Sequence, residues 1–306
     1  MTNETNDEVK TPTPARRQGL APAGNSLEQI RATTFLRSKG VDPRGPFQLD
    51  FWPADMRAMP NDYARSALFT VRNKREKRAP MQGMQLFHIE KAVRITYTGI
   101  ELRADDDQLI WLQILHYARN RPLGEPIEFN LHRLLTDLGW PINQKYYKKA
   151  RECISRLKAS EVMLHNERIG GGVGLSLIDR YAFTDKRGGQ SEYRVWVHEN
   201  LIFLFAGDTY TRLVWETYKE LTPIARKLYD YAASHAHPFP LRLDVFHSAC
   251  ASTCQLGPSW TQMVRKACAE LVAAGLIYKC WVKDGAVHFV RQAPKDATRT
   301  VAKFDT

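Results

Sequence analysis

Residues Pro258 to Lys283 decide the fold that we predict for this chain, and they read PSWTQMVRKACAELVAAGLIYKCWVK. Ser259 is a favourable N-cap, because its hydroxyl can accept a hydrogen bond from the open N–H groups of a first helical turn. Gly275 lies where a left-handed residue would end that helix. Between them the apolar residues recur at helical spacing and predict one buried face, made of Val264, Ala267, Cys268, Leu271 and Val272.

A short hairpin is predicted directly after this helix. Its strands are residues 277–282 and 286–291, and the sequence Lys283-Asp284-Gly285 between them contains the Asp-Gly pair that favours a tight turn. The helix keeps polar side chains on its other face, near its N-terminal end. A helix followed by a tight hairpin with a cationic tip is typical of a winged helix.

The same order of parts occurs once more upstream. Helices are predicted over 131–138 and 144–159, followed by strands at 162–166, 175–183 and 193–197 with glycine-rich, basic connections. A constant offset of 114 residues aligns the two copies without a gap, for example Ile110 with Ile224, Tyr117 with Tyr231 and Pro126 with Pro240. We therefore predict an α+β protein with two tandem winged-helix domains, at residues 61–207 and 208–292, between a disordered tail (1–60) and a flexible C-terminal tail (293–306).

Composition favours a polyanionic partner. The 306 residues carry 44 Lys and Arg against 33 Asp and Glu, a formal net charge of +11, and such an excess is typical of nucleic-acid binding. A soluble basic protein with solvated lysines is the alternative. No apolar run has the length of a membrane span, and the acidic N-terminus is unlike a signal peptide. Five cysteines without zinc-site spacing predict buried thiols and a cytoplasmic location.

The predicted DNA contacts are the polar side chains at the start of the two long helices and the cations of the two hairpins. Gln and Arg can read base edges in the major groove, while Lys and Thr can hold phosphates. The residues are Gln144, Lys145, Lys148, Lys149, Arg168, Lys186, Arg187, Ser259, Thr261, Gln262, Arg265, Lys266 and Lys283. The charge run at residues 72–78 is either a solvated loop or a further phosphate contact.

One hydrophobic island interrupts the tail, between Pro46 and Pro53. Its residues Gln48, Leu49 and Phe51 resemble, with one residue missing, the peptide that replication proteins insert into the sliding clamp. The island either docks on that clamp or folds back onto the globular body.

Three motifs raise the question of catalysis. Residues 170–174 are glycine-rich but lack the Lys-Ser/Thr of a phosphate-binding loop. Asp105, Asp106 and Asp107 could hold a metal, but we interpret them as the capped start of a helix. His235-Ala-His237 with Tyr146 resembles the metal and nucleophile set of DNA-nicking enzymes. We expect the histidines to lie in a loop and the tyrosine to face the core, so we predict no enzyme, cofactor or metal.

Several longer stretches resemble the TrfA family of plasmid replication initiators. They are Tyr63–Phe69, Arg72–Glu76, Ile95–Asp107, Leu138–Trp140, Tyr146-Tyr147 and Leu204–Thr211. The resemblance implies winged helices that bind direct repeats (iterons) at a plasmid origin and open the adjacent AT-rich duplex, with single-stranded origin DNA as a further ligand. It also implies the host initiator DnaA, the replicative helicase and the sliding clamp as partners, and a monomer–dimer equilibrium. A transcriptional repressor is the alternative function.

Overall fold

The computed structural model describes residues 27–49, 52–167, 171–184, 186, 191–207 and 209–292. Helices and strands alternate along this chain and form a mixed α/β fold. The helices are α1 (Leu27–Ser38), α2 (Asn61–Ala64), α3 (Asp107–Ala118), α4 (Leu131–Asp137), α5 (Gln144–Lys158), α6 (Trp215–Glu220), α7 (Pro223–Ala233), α8 (Leu243–Cys250) and α9 (Pro258–Ala273), with a 3-10 helix at Glu199–Leu204. The strands are β1 (Met56–Pro60), β2 (Phe69–Thr70), β3 (Pro80–Leu86), β4 (Val93–Ile100), β5 (Leu102–Arg103), β6 (Ile127–Asn130), β7 (Glu161–Asn166), β8 (Gly171–Leu175), β9 (Arg180–Phe183), β10 (Glu192–Trp196), β11 (Tyr210–Val214), β12 (Leu241–Arg242), β13 (Lys279–Lys283) and β14 (Ala286–Val290).

The C-terminal unit is built from α7, α8, α9 and a three-stranded antiparallel sheet in the order β12-β14-β13. Its core lies between the helices and one face of this sheet, where Val264, Leu271 and Val287 are fully buried. The rings of Phe246 and Trp260 pack at 5.5 Å between centroids and join α8 to α9. Helix α9 is thereby fixed along one side, and its opposite side faces solvent.

The C-terminal end of α9 is as predicted, and its N-terminal end is not. Gly275 has the positive φ (+68°) of a left-handed helix stop, as predicted. The N-cap is Gly257, so the predicted cap at Ser259 is wrong. The reason is Pro258, because its ring already has the helical φ and it needs no hydrogen-bond partner at the first helical position. Val272, predicted to be buried, is 39% exposed.

The hairpin β13–β14 has the predicted turn. Lys283 pairs with Ala286, which leaves a two-residue loop between them. Both loop residues have positive φ, 50° at Asp284 and 72° at Gly285. This is the geometry that favours the Asp-Gly sequence in tight hairpins.

The first unit repeats these parts in the same order. Each of four elements has a counterpart about 114 residues later, namely α3 in α7, α4 in α8, α5 in α9 and β6 in β12. For example, α5 starts at Gln144, and α9 starts at Pro258, 114 residues further on. The sheet of this unit has the order β6-β10-β9, which matches β12-β14-β13. The predicted internal repeat is therefore present in the fold.

The first unit also contains a second sheet, which the sequence did not predict. Strands β7 and β8 do not pair with β9 and β10. They pair instead with β3 and β4 in a four-stranded antiparallel sheet of order β3-β4-β7-β8. Val162 and Leu164 of β7 are buried opposite Tyr97 and Ile95 of β4. The prediction of one continuous strand set from 162 to 197 is therefore wrong, because β7 gains a buried face only by pairing with a strand 60 or more residues upstream.

The N-terminal segment is folded where the structure describes it. The prediction of a disordered tail up to residue 60 is wrong for residues 33–49 and 52–60, since β1 pairs with β11 and Leu49 is completely buried. The Trp52 ring packs on Phe205 at 5.7 Å. Leu36, Leu49, Trp52 and Met59 of this segment are core residues, which composition alone does not reveal. Residues 1–26 and 293–306 lie outside the described residues.

The two units meet through buried polar groups. Asp230 of α7 is buried and accepts a hydrogen bond from Gln108 Nε2 of α3 in the first unit (2.9 Å). A second bond, from the nearby Tyr218 Oη (2.8 Å), holds the same carboxylate in place. The buried Lys227 ammonium donates to the backbone carbonyl of Ser66. Buried polar and charged groups are tolerated only with such partners, so these bonds fix how the units are oriented.

Among the helices of the described residues, we find none with the length and hydropathy of a bilayer-spanning segment.

Candidate nucleic-acid interface

The solvent face of α9 is the clearest candidate interface. Gln262, Arg265 and Lys266 are exposed and lie at i, i+3 and i+4, so they share one face of the helix. None of the three has a hydrogen-bond or ion-pair partner within the described part of the chain. Their amide, guanidinium and ammonium groups are therefore available to an external polyanion.

The two predicted contact residues in the first turn of α9 differ in exposure. Thr261 is half-buried, and its hydroxyl donates to the carbonyl of Gly257 at 3.1 Å. Ser259 is exposed on the same turn. At the hairpin tip, Lys283 is exposed and lies 3.9 Å from the carboxylate of Asp284, a surface pair of little energetic weight.

Helix α5 presents the corresponding face of the first unit. Gln144, Lys145 and Lys148 are exposed, and the Asn143 side chain caps the helix by accepting from the Tyr146 N–H at 3.2 Å. Lys148 lies 4.0 Å from Glu152 one turn later. Lys145 has no partner among the described residues.

Lys149 does not belong to this exposed face. The prediction that it points away from the protein with Lys145 and Lys148 is wrong, because its side chain is only 27% exposed. Its ammonium lies 3.6 Å from Asp105 Oδ2 and 3.5 Å from Asp106 Oδ2. It also lies 4.5 Å from the centroid of the Trp140 ring, a cation–π contact.

The aspartates that hold Lys149 form the start of α3. Asp106 is the N-cap and accepts from the Asp107 N–H at 2.8 Å, as the capping interpretation predicts. Arg78 contacts both carboxylates, at 2.8 Å and 2.7 Å, and Arg156 contacts Asp107 at 2.9 Å. Burial opposes ionisation of Asp106, but the charges of Arg78 and Lys149 outweigh it and lower its pKa.

Among the described residues, one group of side chains has potential metal-ligating atoms close together. It consists of Asp106, Asp107 and Cys153 and lies in this cluster. Two guanidinium groups and one ammonium already occupy the carboxylate oxygens. Burial and the adjacent Asp106 carboxylate raise the pKa of Asp107 to about 6. The arrangement is that of a buried ion cluster joining α3, α5 and the segment before β3.

The hairpin of the first unit carries one predicted cation that the structure describes. Lys186 is exposed and pairs with Glu192 at 3.0 Å. Arg187 lies outside the described residues. Arg168 does so too. The strands before and after it in the sequence, β7 and β8, belong to the four-stranded sheet and not to the β9–β10 hairpin.

The charge run at residues 72–78 divides into two groups. Arg72 donates to the Ala251 carbonyl of the second unit at 3.0 Å, and Arg78 belongs to the ion cluster. Arg75 and Lys77 are exposed. The two ends of the run are therefore held within the protein, and the residues between them, 73–77, are exposed.

The residues considered for DNA nicking are not assembled into a site. His235 and His237 lie between α7 and β12, which confirms the predicted loop. His235 Nδ1 hydrogen-bonds with the Tyr231 carbonyl at 2.8 Å, and burial lowers its pKa. Tyr146, predicted to face the core, is half-buried against Trp140, while its neighbour Tyr147 is buried instead.

Of the two alternatives predicted for the hydrophobic island, clamp docking or folding back onto the globular body, the structure has the second. Leu49 is buried in the core, and Gln48 forms an isolated antiparallel bridge with Pro122. Phe51 lies outside the described residues. The described part of the island is thus folded against the body, and docking on a clamp would first require Leu49 to leave the core.

Sequence reasoning missed one feature of the first hairpin, a row of aromatic rings. Phe129, Tyr193 and Phe183 stack across the sheet at 6.0 Å and 5.4 Å. Alternating aromatic residues in the strands, such as Tyr181 and Phe183, are a signal that could have revealed it.

Comparison with known proteins identifies a family and a shared fold. The model of the family described as TrfA protein matches residues 43–291. The plasmid replication initiator protein TrfA of Escherichia coli is 47% identical over 245 residues, which are 80% of this chain and 64% of that protein. The match thus spans less than two thirds of that relative's length. Domains 2 and 3 of RctB, at 11% identity, superpose with a TM-score of 0.53 over 77% of this chain and 99% of that one, which shows a shared fold. On the strength of the family match and this identity, the chain belongs to the TrfA family.

Proposed function

We propose that this chain is a plasmid replication initiator that binds iteron repeats at its origin and promotes opening of the adjacent AT-rich duplex. The observation that carries the proposal is the solvent face of α9, where Gln262, Arg265 and Lys266 stand together without partners in the described chain. Gln and Arg are the side chains that read adenine and guanine edges in the major groove. Membership of the TrfA family supports the same function.

We infer further that the two units are tandem winged helices, with α5 and α9 as their recognition helices and the β9–β10 and β13–β14 hairpins as their wings. The repeated element order and the matching sheet orders support this inference. The second unit would read sequence through α9. The first would contribute mainly backbone contacts, because Lys149 is withdrawn into the ion cluster and leaves Gln144, Lys145 and Lys148 on the exposed face of α5.

The partners follow from the proposed function. They are double-stranded iteron DNA, single-stranded origin DNA after opening, and the host DnaA, replicative helicase and sliding clamp, with the initiator itself in a monomer–dimer equilibrium. The net charge of +11 supports the nucleic-acid partners. The proposed role is non-enzymatic, requires no cofactor and is carried out in the cytoplasm.

The test combines a nuclease footprint with a replication assay. The purified chain should protect a set of direct repeats in the origin of the plasmid that encodes it. The same origin, placed on a plasmid with no initiator gene, should replicate only in cells supplied with this chain. Protection of the repeats without replication would favour a transcriptional repressor. A covalent protein–DNA adduct formed with a divalent metal would favour a nicking enzyme.

A further inference from the structure

The wing of the first unit is longer than that of the second. In the second wing the last pair is Lys283 with Ala286, and the chain turns directly beyond it. Val195 and Val287 occupy equivalent positions, since they pair with Ile127 and Leu241, which the 114-residue offset aligns.

One residue from Val195 towards the turn, Arg194 pairs with Ala182, and this pair corresponds to Lys283 with Ala286, the last pair of the second wing. The first wing has one more pair beyond it, Phe183 with Tyr193. The first wing therefore projects further from its unit, and Phe183 is the first side chain of the extension on the core-facing side of the sheet.

Phe183 is a large apolar side chain that the fold leaves uncovered. It is 55% exposed, although it lies on the sheet face that carries the buried Phe129 and Val195. Its ring is nearly parallel to the Tyr193 ring, at 5.4 Å and 17°, and Tyr193 stacks in turn on Phe129 at 6.0 Å and 15°. Phe129 packs on Tyr117 of α3 at 5.3 Å, which ties the row of rings to the core.

This arrangement suits insertion between stacked bases. One face of the ring is supported by a stack of aromatic side chains, so the ring loses little conformational freedom when it binds. The Tyr181 ring, on the same strand, lies 6.3 Å from it. Phe183 nevertheless remains 55% exposed, so burying it elsewhere would be favourable. Two ion pairs lie on the same hairpin and its neighbouring strand, Lys186 with Glu192 at 3.0 Å and Arg194 with Glu128 at 2.8 Å.

We propose that Phe183 is a wedge that enters the minor groove with the first wing and inserts between two base pairs of the origin duplex. Partial insertion of Phe or Leu from the minor groove unstacks one base step and kinks the duplex. The inference rests on the proposed function, because α5 in a major groove is what would bring this wing to the adjacent minor groove. The wedge would supply part of the distortion that precedes opening.

The test uses 2-aminopurine placed in turn at each adenine of the footprinted origin duplex. Saturating amounts of the full-length chain should raise the fluorescence at one or two neighbouring steps beside the contact of the first unit. Phe183→Ala should lose this rise while weakening binding by about tenfold or less, since phosphate contacts supply most of the affinity. Phe183→Leu should retain a reduced rise, because leucine also serves as a wedge.

Met163→Ala is the matched control, since Met163 is 50% exposed but lies on the four-stranded sheet. It should change neither binding nor fluorescence. Far-UV circular dichroism and thermal unfolding check that each variant is folded. A fluorescence rise that is unchanged in a folded Phe183→Ala protein bound to the same duplex overturns the wedge and leaves the proposed function intact. Failure of the wild-type chain to protect any repeat contradicts the proposed function itself.

Discussion

Replacing Lys149 by methionine separates the structural cations of α5 from those proposed to contact DNA. Methionine keeps an unbranched apolar stem beside Trp140 and removes the charge. The change therefore deletes the cation–π contact at 4.5 Å and the two ion pairs at 3.5 and 3.6 Å, while Arg78 still neutralises Asp106. Lys145→Met is the matched control, because Lys145 is exposed on the same helix.

The expected loss in the free energy of unfolding can be built from these contacts. A partly desolvated cation–π contact contributes roughly 0.5–2 kcal/mol. The ion pairs are too long for hydrogen bonds and, at the surface of the cluster, add up to about 1 kcal/mol. We expect Lys149→Met to lower the free energy of unfolding by about 1–2 kcal/mol, measured by urea denaturation, and Lys145→Met to leave it within about 0.5 kcal/mol.

DNA binding should show the opposite pattern. Lys145→Met should lower the slope of log K against log salt concentration by about one unit, since one phosphate contact is lost. Lys149→Met should leave the slope unchanged at a temperature where the variant is folded. An unchanged unfolding midpoint for Lys149→Met, together with a reduced salt slope, would refute the assignment of Lys149 to the ion cluster.

Three further predictions concern stability. Gly275→Ala should destabilise the chain by about 1 kcal/mol in thermal unfolding, because φ is +68° there and a Cβ has nothing within 4 Å to pack on; an unchanged Tm would contradict the left-handed stop. Burial, with the nearby Arg57 and Arg119 guanidinium groups, lowers the pKa of His116 to about 3. The unfolded chain binds a proton near the ordinary histidine pKa of about 6.5 and the folded chain does not, so stability should fall as the pH drops from 6.5 towards 3. His116→Gln should flatten that dependence in urea titrations at several pH values, and an equally steep dependence would count against a neutral, half-buried imidazole. Leu49→Ala should lower the free energy of unfolding by about 2–5 kcal/mol, because this side chain is fully buried, and a variant as stable as the parent would mean that the island is not part of the core.

The parts of the fold that depend on neighbours in sequence could be predicted. The periodicity of Val264, Ala267, Cys268 and Leu271, the stop at Gly275 and the Asp-Gly turn are local signals, and the structure has each of them. The 114-residue repeat could also be found, because it needs only a comparison of the chain with itself.

The parts that depend on distant partners could not be predicted. Lys149 looks solvent-facing from its helical position, and only the approach of Asp105 and Asp106, more than 40 residues earlier, turns it inward. From the sequence alone, β7 is predicted as part of the wing. In the structure it pairs with β4 of a second sheet, and this pairing buries one of its faces. In the N-terminal segment, Leu49 and Trp52 are too sparse to signal a fold by composition, since their partners lie in other elements.

Equilibrium binding by α9 variants tests the central claim most directly. Gln262→Ala and Arg265→Ala are compared with the unchanged chain on the footprinted repeat and on a scrambled repeat, at several salt concentrations. If α9 reads bases, each change should cost roughly 1–3 kcal/mol on the cognate repeat and much less on the scrambled one. Lys266→Ala should instead weaken both duplexes similarly and lower the salt slope by about one unit. A ratio of cognate to scrambled affinity that stays the same in Gln262→Ala and Arg265→Ala would contradict the claim that this helix reads the origin.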